Sequence, residues 1–175
     1  MGSQIVGGLD PGLDGALCMI DGSSIITVIG MRVLKLSKGK GTKREIDAHA
    51  WLNLLRSFAG GGLTVDRVFI ERVSPRPGEG TVSSFKFGRG FGQVEMACIA
   101  MGWPIEYVTP QKWKRALALP AGATKDDSLR LASNLWPHDV EQWTPKRLVM
   151  NQAQCHGRAE AALIARYGAL QLAKG

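Results

Sequence analysis

Cysteine is scarce in this chain. Cys18, Cys98 and Cys155 are odd in number and show no CxxC spacing, which excludes a disulfide framework or a zinc knot and points to a reducing compartment. Cys18 and Cys98 lie in apolar runs and read as small core residues. Long hydrophobic runs are missing too. No stretch reaches transmembrane length, and the first residues lack a signal-peptide pattern, so a cytoplasmic protein with no membrane partner is expected. Acids are in deficit, fifteen against twenty-two Lys and Arg, for a net charge of +7 and a pI near 9.6. That balance favours a polyanionic partner. Internal repeats, domain linkers and low-complexity tracts are all lacking. The 175 residues, 45% of them apolar, fit one α/β domain over residues 1–175.

The chain is organised around its first strand, read over residues 4–10. Ile5, Val6 and Leu9 suit a buried strand, and Pro11-Gly12 ends the ladder directly after Asp10. A carboxylate at the end of a central strand stands where open α/β sheets place their sites. A second apolar strand, Asp66 to Glu71, also stops at an acid. A third group lies on the last helix, read from about His156 to Ala173, where His156 and Glu160 fall one turn apart on one face. Three separated segments that each present an acid point to a metal-dependent phosphodiesterase site.

The remaining pattern is a β-rich start followed by alternating helices and strands. Residues 15–20 read as a second strand, Asp21-Gly22 as a hairpin turn, and Ile25 to about Leu36 as a third strand. Strands one to three then form an antiparallel meander. Lys35, Lys38, Lys40, Lys43 and Arg44 among glycines read either as a solvated loop or as a phosphate-contacting edge. Ile46 to Phe58 is an amphipathic helix closed by Gly60-Gly61-Gly62. Residues 73–92 read as a basic, glycine-rich segment with Arg76, Phe85, Lys86 and Arg89, leading into a helix from Gln93 to about Met101. A fifth strand follows at Ile105 to Val108. Thr109-Pro110 opens a helix to about Leu119, Thr124 caps another over Lys125 to Leu135, and residues 139–154 read as irregular.

These motifs resemble the RuvC-type Holliday-junction resolvases of the ribonuclease H-like superfamily, closest to the phage and organellar branch. The resemblance rests on Gly8-Leu9-Asp10-Pro11-Gly12, Ile70-Glu71, Thr109-Pro110-Gln111-Lys112-Trp113-Lys114, Thr124-Lys125-Asp126-Asp127-Ser128 and His156-Gly157-Arg158-Ala159-Glu160-Ala161. It spans nearly the whole chain. It implies a five-stranded mixed sheet flanked by helices: antiparallel strands one to three, then strands four and five. It also implies a homodimeric, Mg²⁺- or Mn²⁺-dependent endonuclease that cuts two strands of a four-way DNA junction. A branch, flap or fork nuclease and a weakened junction-binding protein are the alternatives.

Carried over by motif, Asp10, Glu71, His156 and Glu160 form the metal-binding catalytic set, and Lys125 contacts phosphate. Bacterial relatives often place two Asp three residues apart on the last helix, whereas this chain has His156 and Glu160 four apart. Phage and organellar relatives usually have Asp where this chain has Cys155. Carboxylates suit Mg²⁺, and an imidazole at His156 would favour Mn²⁺ or orient the attacking water. Arg76, Lys86 and Arg89 are expected to contact DNA, with Phe85 wedging into the junction. Arg158 would bind phosphate or pair with a core acid. Asp14 is assigned to turn chemistry, and Trp113 and Trp136 to the core.

Overall fold

The computed structural model describes residues 4–38, 41–72, 78, 80–145 and 150–174. The chain runs β1 Ile5–Leu9, β2 Ala16–Asp21, β3 Ser24–Gly30, β4 Val33–Lys38, β5 Gly41–Ile46, α1 Ala48–Gly60, β6 Arg67–Glu71, α2 Thr81–Ala100, β7 Ile105–Val108, α3 Pro110–Ala116, α4 Lys125–Leu135 and α5 Gln152–Leu172. The main sheet has the order β3-β2-β1-β6-β7. The first three strands form the antiparallel meander, and β6 and β7 run parallel to β1. This is the expected five-stranded mixed sheet of the ribonuclease H-like fold.

Period-two alternation divides the sheet between two cores. Val6, Ala16, Cys18, Ile20 and Phe69 face α5 and the helices beside it. Leu9, Leu17, Met19, Val68 and Ile70 face α1 and α2. Asp10 continues the parity of Val6, and Glu71 that of Phe69. Both acids therefore end their strands on the face that α5 covers. Close approach of α5 needs a residue without Cβ on β1: a Cβ at Gly8 would lie 2.1 Å from the Ala165 nitrogen and 2.3 Å from the Ala161 oxygen.

Three elements differ from the sequence reading. The third strand stops at Gly30, where the Met31 amide donates to the Gly15 carbonyl at 2.9 Å. The lysine-rich stretch after it is neither a loop nor a strand extension but an antiparallel hairpin, β4–β5. Its charged composition hid it, because this two-stranded ribbon has little core face to bury, and Leu34 and Leu36 remain exposed. The glycine-rich segment from Thr81 to Gly92 is helical and continuous with the helix expected at Gln93. Glycines lower helix propensity by about 1 kcal/mol each. Here packing overrides that cost, since Val94, Ala97 and Cys98 bury in the second core. Finally, α5 begins a turn early: the Asn151 side chain accepts from the Gln154 amide, and Gln154 returns the bond in a capping box.

Candidate active site

Asp10 stands just beyond the central strand and keeps some surface. Its Oδ1 accepts the Gly12 amide at 3.0 Å, so the turn that stops the strand also fixes the carboxylate. Glu71 ends β6, the neighbouring parallel strand, and is buried. Its Oε1 accepts the Trp113 indole N–H at 2.7 Å. Glu160 reaches in from α5, where its Oε1 accepts the Ser128 hydroxyl at 3.3 Å and lies 3.5 Å from Lys114 Nζ.

The electrostatics show that these three acids share one site. Burial pushes Asp10 up to about 6, against the Gly12 hydrogen bond, and the charge of Glu160 raises it further. Burial pushes Glu71 up to about 7, with Asp10 and Glu160 adding to the rise and the Trp113 bond and Lys114 opposing it. Lys125, first residue of α4, brings a positive charge close enough to lower Asp10. His156 is buried one turn before Glu160, and its Nε2 lies 2.7 Å from Asp126 Oδ1.

Among the described residues no three His, Cys, Asp or Glu side chains stand as a finished metal cage. Glu160 is turned toward Lys114 and Ser128, and His156 toward Asp126. The donor chemistry nevertheless fits a hard divalent cation. Three carboxylates are gathered where little water reaches, two of them with proton affinities raised by burial and by neighbouring acids.

The sequence reading and the structure part at several residues. Among the described residues Arg158 pairs with no acid: its Nη1 donates to the Val28 and Gln142 carbonyls, both at 3.0 Å, tying α5 to β3. Phe85, Lys86 and Arg89 lie exposed on α2 rather than in a loop, and Arg89 pairs with Glu45. Arg76 lies outside the described residues. Asp14 does more than shape its turn, accepting both terminal nitrogens of Arg44, at 2.8 and 3.1 Å. Trp136 is a core residue, as expected. Trp113 is fully buried, also as expected, but carries a polar task as well. The residues that sequence reasoning missed are Lys114, Asp126 and Ser128. All three lay within quoted motifs; what was not legible is that α3 and the start of α4 fold over the acids.

Trp113→Phe keeps the buried ring and removes the donor to Glu71. Loss of a hydrogen bond to a charged group costs about 1.5–3 kcal/mol, so any reaction run through this carboxylate should slow by about ten- to a hundredfold. The rise with pH should also move upward, because Glu71 loses a group that favours its ionised form. A pH–rate profile on both proteins checks this.

No family model and no curated protein sequence matches the chain. Solved structures do. RuvC of Thermus thermophilus is 20% identical with a TM-score of 0.53, over 96% of this chain and 97% of that one. The same protein in complex with a Holliday junction substrate gives 17% and 0.56, over 98% and 96%. The yeast mitochondrial Holliday junction resolvase Ydc2 gives 14% and 0.56, over 98% of this chain and 80% of that one. In fold, therefore, the chain is similar to the RuvC-type resolvases from end to end. No helix among the described residues is long and apolar enough to cross a membrane.

Proposed function

We propose that this chain is a metal-dependent endonuclease that resolves four-way DNA junctions as a homodimer. The observation that carries the reading is the coupled cluster of Asp10, Glu71 and Glu160 on one face of the sheet. Asp10, at the end of the central strand, would form the ligand set for Mg²⁺ or Mn²⁺ together with Glu71 and Glu160. A divalent ion held there supplies charge neutralisation at the scissile phosphate and a water acidic enough to attack in line.

The chain's own groups do the rest. Gly12 and Trp113 hold two of the carboxylates in position. Lys125 offers a cation beside Asp10 for phosphate. Lys86 and Arg89 extend the positive surface, and Phe85, 74% exposed on α2, is the wedge at the junction centre. Support also comes from the neighbour whose structure holds a Holliday junction. Digestion of matched four-way, flap and linear duplex DNA with Mg²⁺ or Mn²⁺ tests the reading. Selective cutting of the four-way substrate is expected; equal cutting of flaps would move the assignment to a general branch nuclease, and no cutting of any substrate would overturn it.

His156, with its Nε2 2.7 Å from Asp126 Oδ1, would serve as a ligand or orient the attacking water. His156→Ala should therefore change the ratio of Mn²⁺- to Mg²⁺-supported rates. Parallel rate measurements in the two metals decide it; an unchanged ratio makes the residue structural.

Two scissile strands related by a two-fold axis call for two sites, hence a dimer that uses one patch twice. On the last turns of α2, Val94 and Ala97 are buried, whereas Met96 and Ile99 are exposed at 56% and 48%. The exposed pair supports α2 as the dimer helix. Met96→Glu should yield monomers in sedimentation at micromolar concentration, with unchanged circular dichroism and loss of paired cuts.

A further inference from the structure

The first turn of α4 reaches three members of the site. Lys125 lowers Asp10 by its charge, Asp126 Oδ1 lies 2.7 Å from His156 Nε2, and the Ser128 hydroxyl donates to Glu160. Helix capping accounts for one of the two consecutive acids in this turn. Asp127 closes the capping box with Thr124 and pairs with Arg130. Asp126 is not part of the cap. An acid at its position also suits the helix dipole, but that requires no partner on α5. Its side chain is 72% exposed, yet it is held against a buried imidazole and accepts from Gln152 Nε2 at 3.4 Å as well.

An ionised carboxylate only accepts hydrogen bonds, so the ring nitrogen that faces it carries the hydrogen. A neutral imidazole has one N–H, which leaves the lone pair on Nδ1. In that tautomer Nδ1 is the one ring nitrogen able to bind a metal ion. Carboxylates commonly fix metal-binding histidines in this way. They set the tautomer and the ring orientation, and they raise the basicity of the donor nitrogen.

We propose that Asp126 is a positioning residue, which holds His156 with its hydrogen on Nε2 and leaves Nδ1 as the ring's donor to a divalent cation. The inference rests on the reading of His156 as a ligand. It assigns the exposed acid of α4 a task that neither the cap nor the dipole explains.

The test uses the full chain with ¹⁵N-labelled histidine, free of metal and DNA, at mildly alkaline pH. The histidines are His49, His138 and His156, and His156→Ala identifies the signals of the third. The wild type should show His156 with hydrogen on Nε2, because protonated and lone-pair nitrogens have well-separated shifts. Asp126→Ala should give exchanging tautomers, and Asp126→Asn, which keeps an accepting oxygen, should restore the wild-type pattern. Mn²⁺ titration of the same proteins is the second readout. Asp126→Ala should weaken binding about ten- to a hundredfold, and should weaken it no further in the His156→Ala background. Hydrogen on Nδ1 in the wild type, a tautomer or an Mn²⁺ affinity unchanged by Asp126→Ala, or a loss that persists in full without His156 overturns the role of Asp126 and leaves the ligand reading standing. A His156→Ala protein that binds Mn²⁺ as tightly as the wild type overturns the ligand reading, and the inference with it.

Discussion

Asp10→Asn should abolish cleavage and at the same time make the metal-free protein more stable. Loss of the carboxylate at the centre of the ligand set should lower the rate by at least about a thousandfold, the upper end for removing one electrostatic contributor. Binding to four-way DNA should be largely kept, since basic side chains supply most of that affinity. The stability gain follows from the raised proton affinity of Asp10, about 6 against an ordinary 3.8. Between those two values the native state holds a proton that the unfolded state has released, so stability falls as pH rises through this window and stays reduced above it. The deficit is on the order of 2–3 kcal/mol. Asparagine still accepts the Gly12 amide and carries no charge. At pH 8 without metal, melting should rise by about 4–12 °C, using roughly 2–4 °C per kcal/mol for a chain of this size. Glu71 should titrate lower too, having lost the Asp10 charge that helps raise it. Added Mg²⁺ should raise the melting temperature of the wild type and have little effect on the variant. Full cleavage by Asp10→Asn would sink the site assignment, and an unchanged melting temperature would sink the electrostatic account.

Such an exchange of stability for chemistry explains which parts were legible in the sequence. Strands β1 and β6 each carry an apolar run that stops at an acid, and both signals are local. The period of two then requires Asp10 and Glu71 to share a face, so the sheet half of the site could be read from spacing alone. The helix half was less legible. His156 and Glu160 are one turn apart, yet nothing local says that Asp126 will meet one and Lys114 the other. Those pairings depend on how α3 and α4 pack on α5. Long-range packing likewise turned a glycine-rich run into the start of α2, where a Cβ at Gly90 would meet Ile46 Cγ1 at 3.1 Å. The hairpin β4–β5 escaped for the opposite reason, because a ribbon with so little buried surface leaves no hydrophobic alternation to detect.

Gly8→Ala should be severely damaging, although it adds one methyl group and touches no acid. The new Cβ would lie 2.1 Å from the Ala165 nitrogen, 2.3 Å from the Ala161 oxygen and 2.8 Å from the Ala165 Cα. Every one of these atoms is backbone of α5, so no rotamer change can relieve the clash. The helix must lift from the sheet, which opens the packing between Val6, Phe69 and the apolar face of α5. Overpacking in a filled core typically costs about 1–3 kcal/mol, and a clash with rigid backbone belongs at or beyond the upper end. A loss of at least about 3 kcal/mol is therefore expected, read as a lower urea midpoint with an unchanged slope. Activity should fall further than the folded fraction does. Glu160 rides on the displaced helix while Asp10 and Glu71 stay with the sheet, so the spacing of the three acids changes. Gly88→Ala is the matched control: it sits within α2 with nothing within 4 Å of its added Cβ, and should stabilise by about 0.5–1 kcal/mol through helix propensity. Urea curves that place Gly8→Ala within 1 kcal/mol, about the ordinary cost of any substitution, of wild type would mean that α5 does not seat on β1 as described.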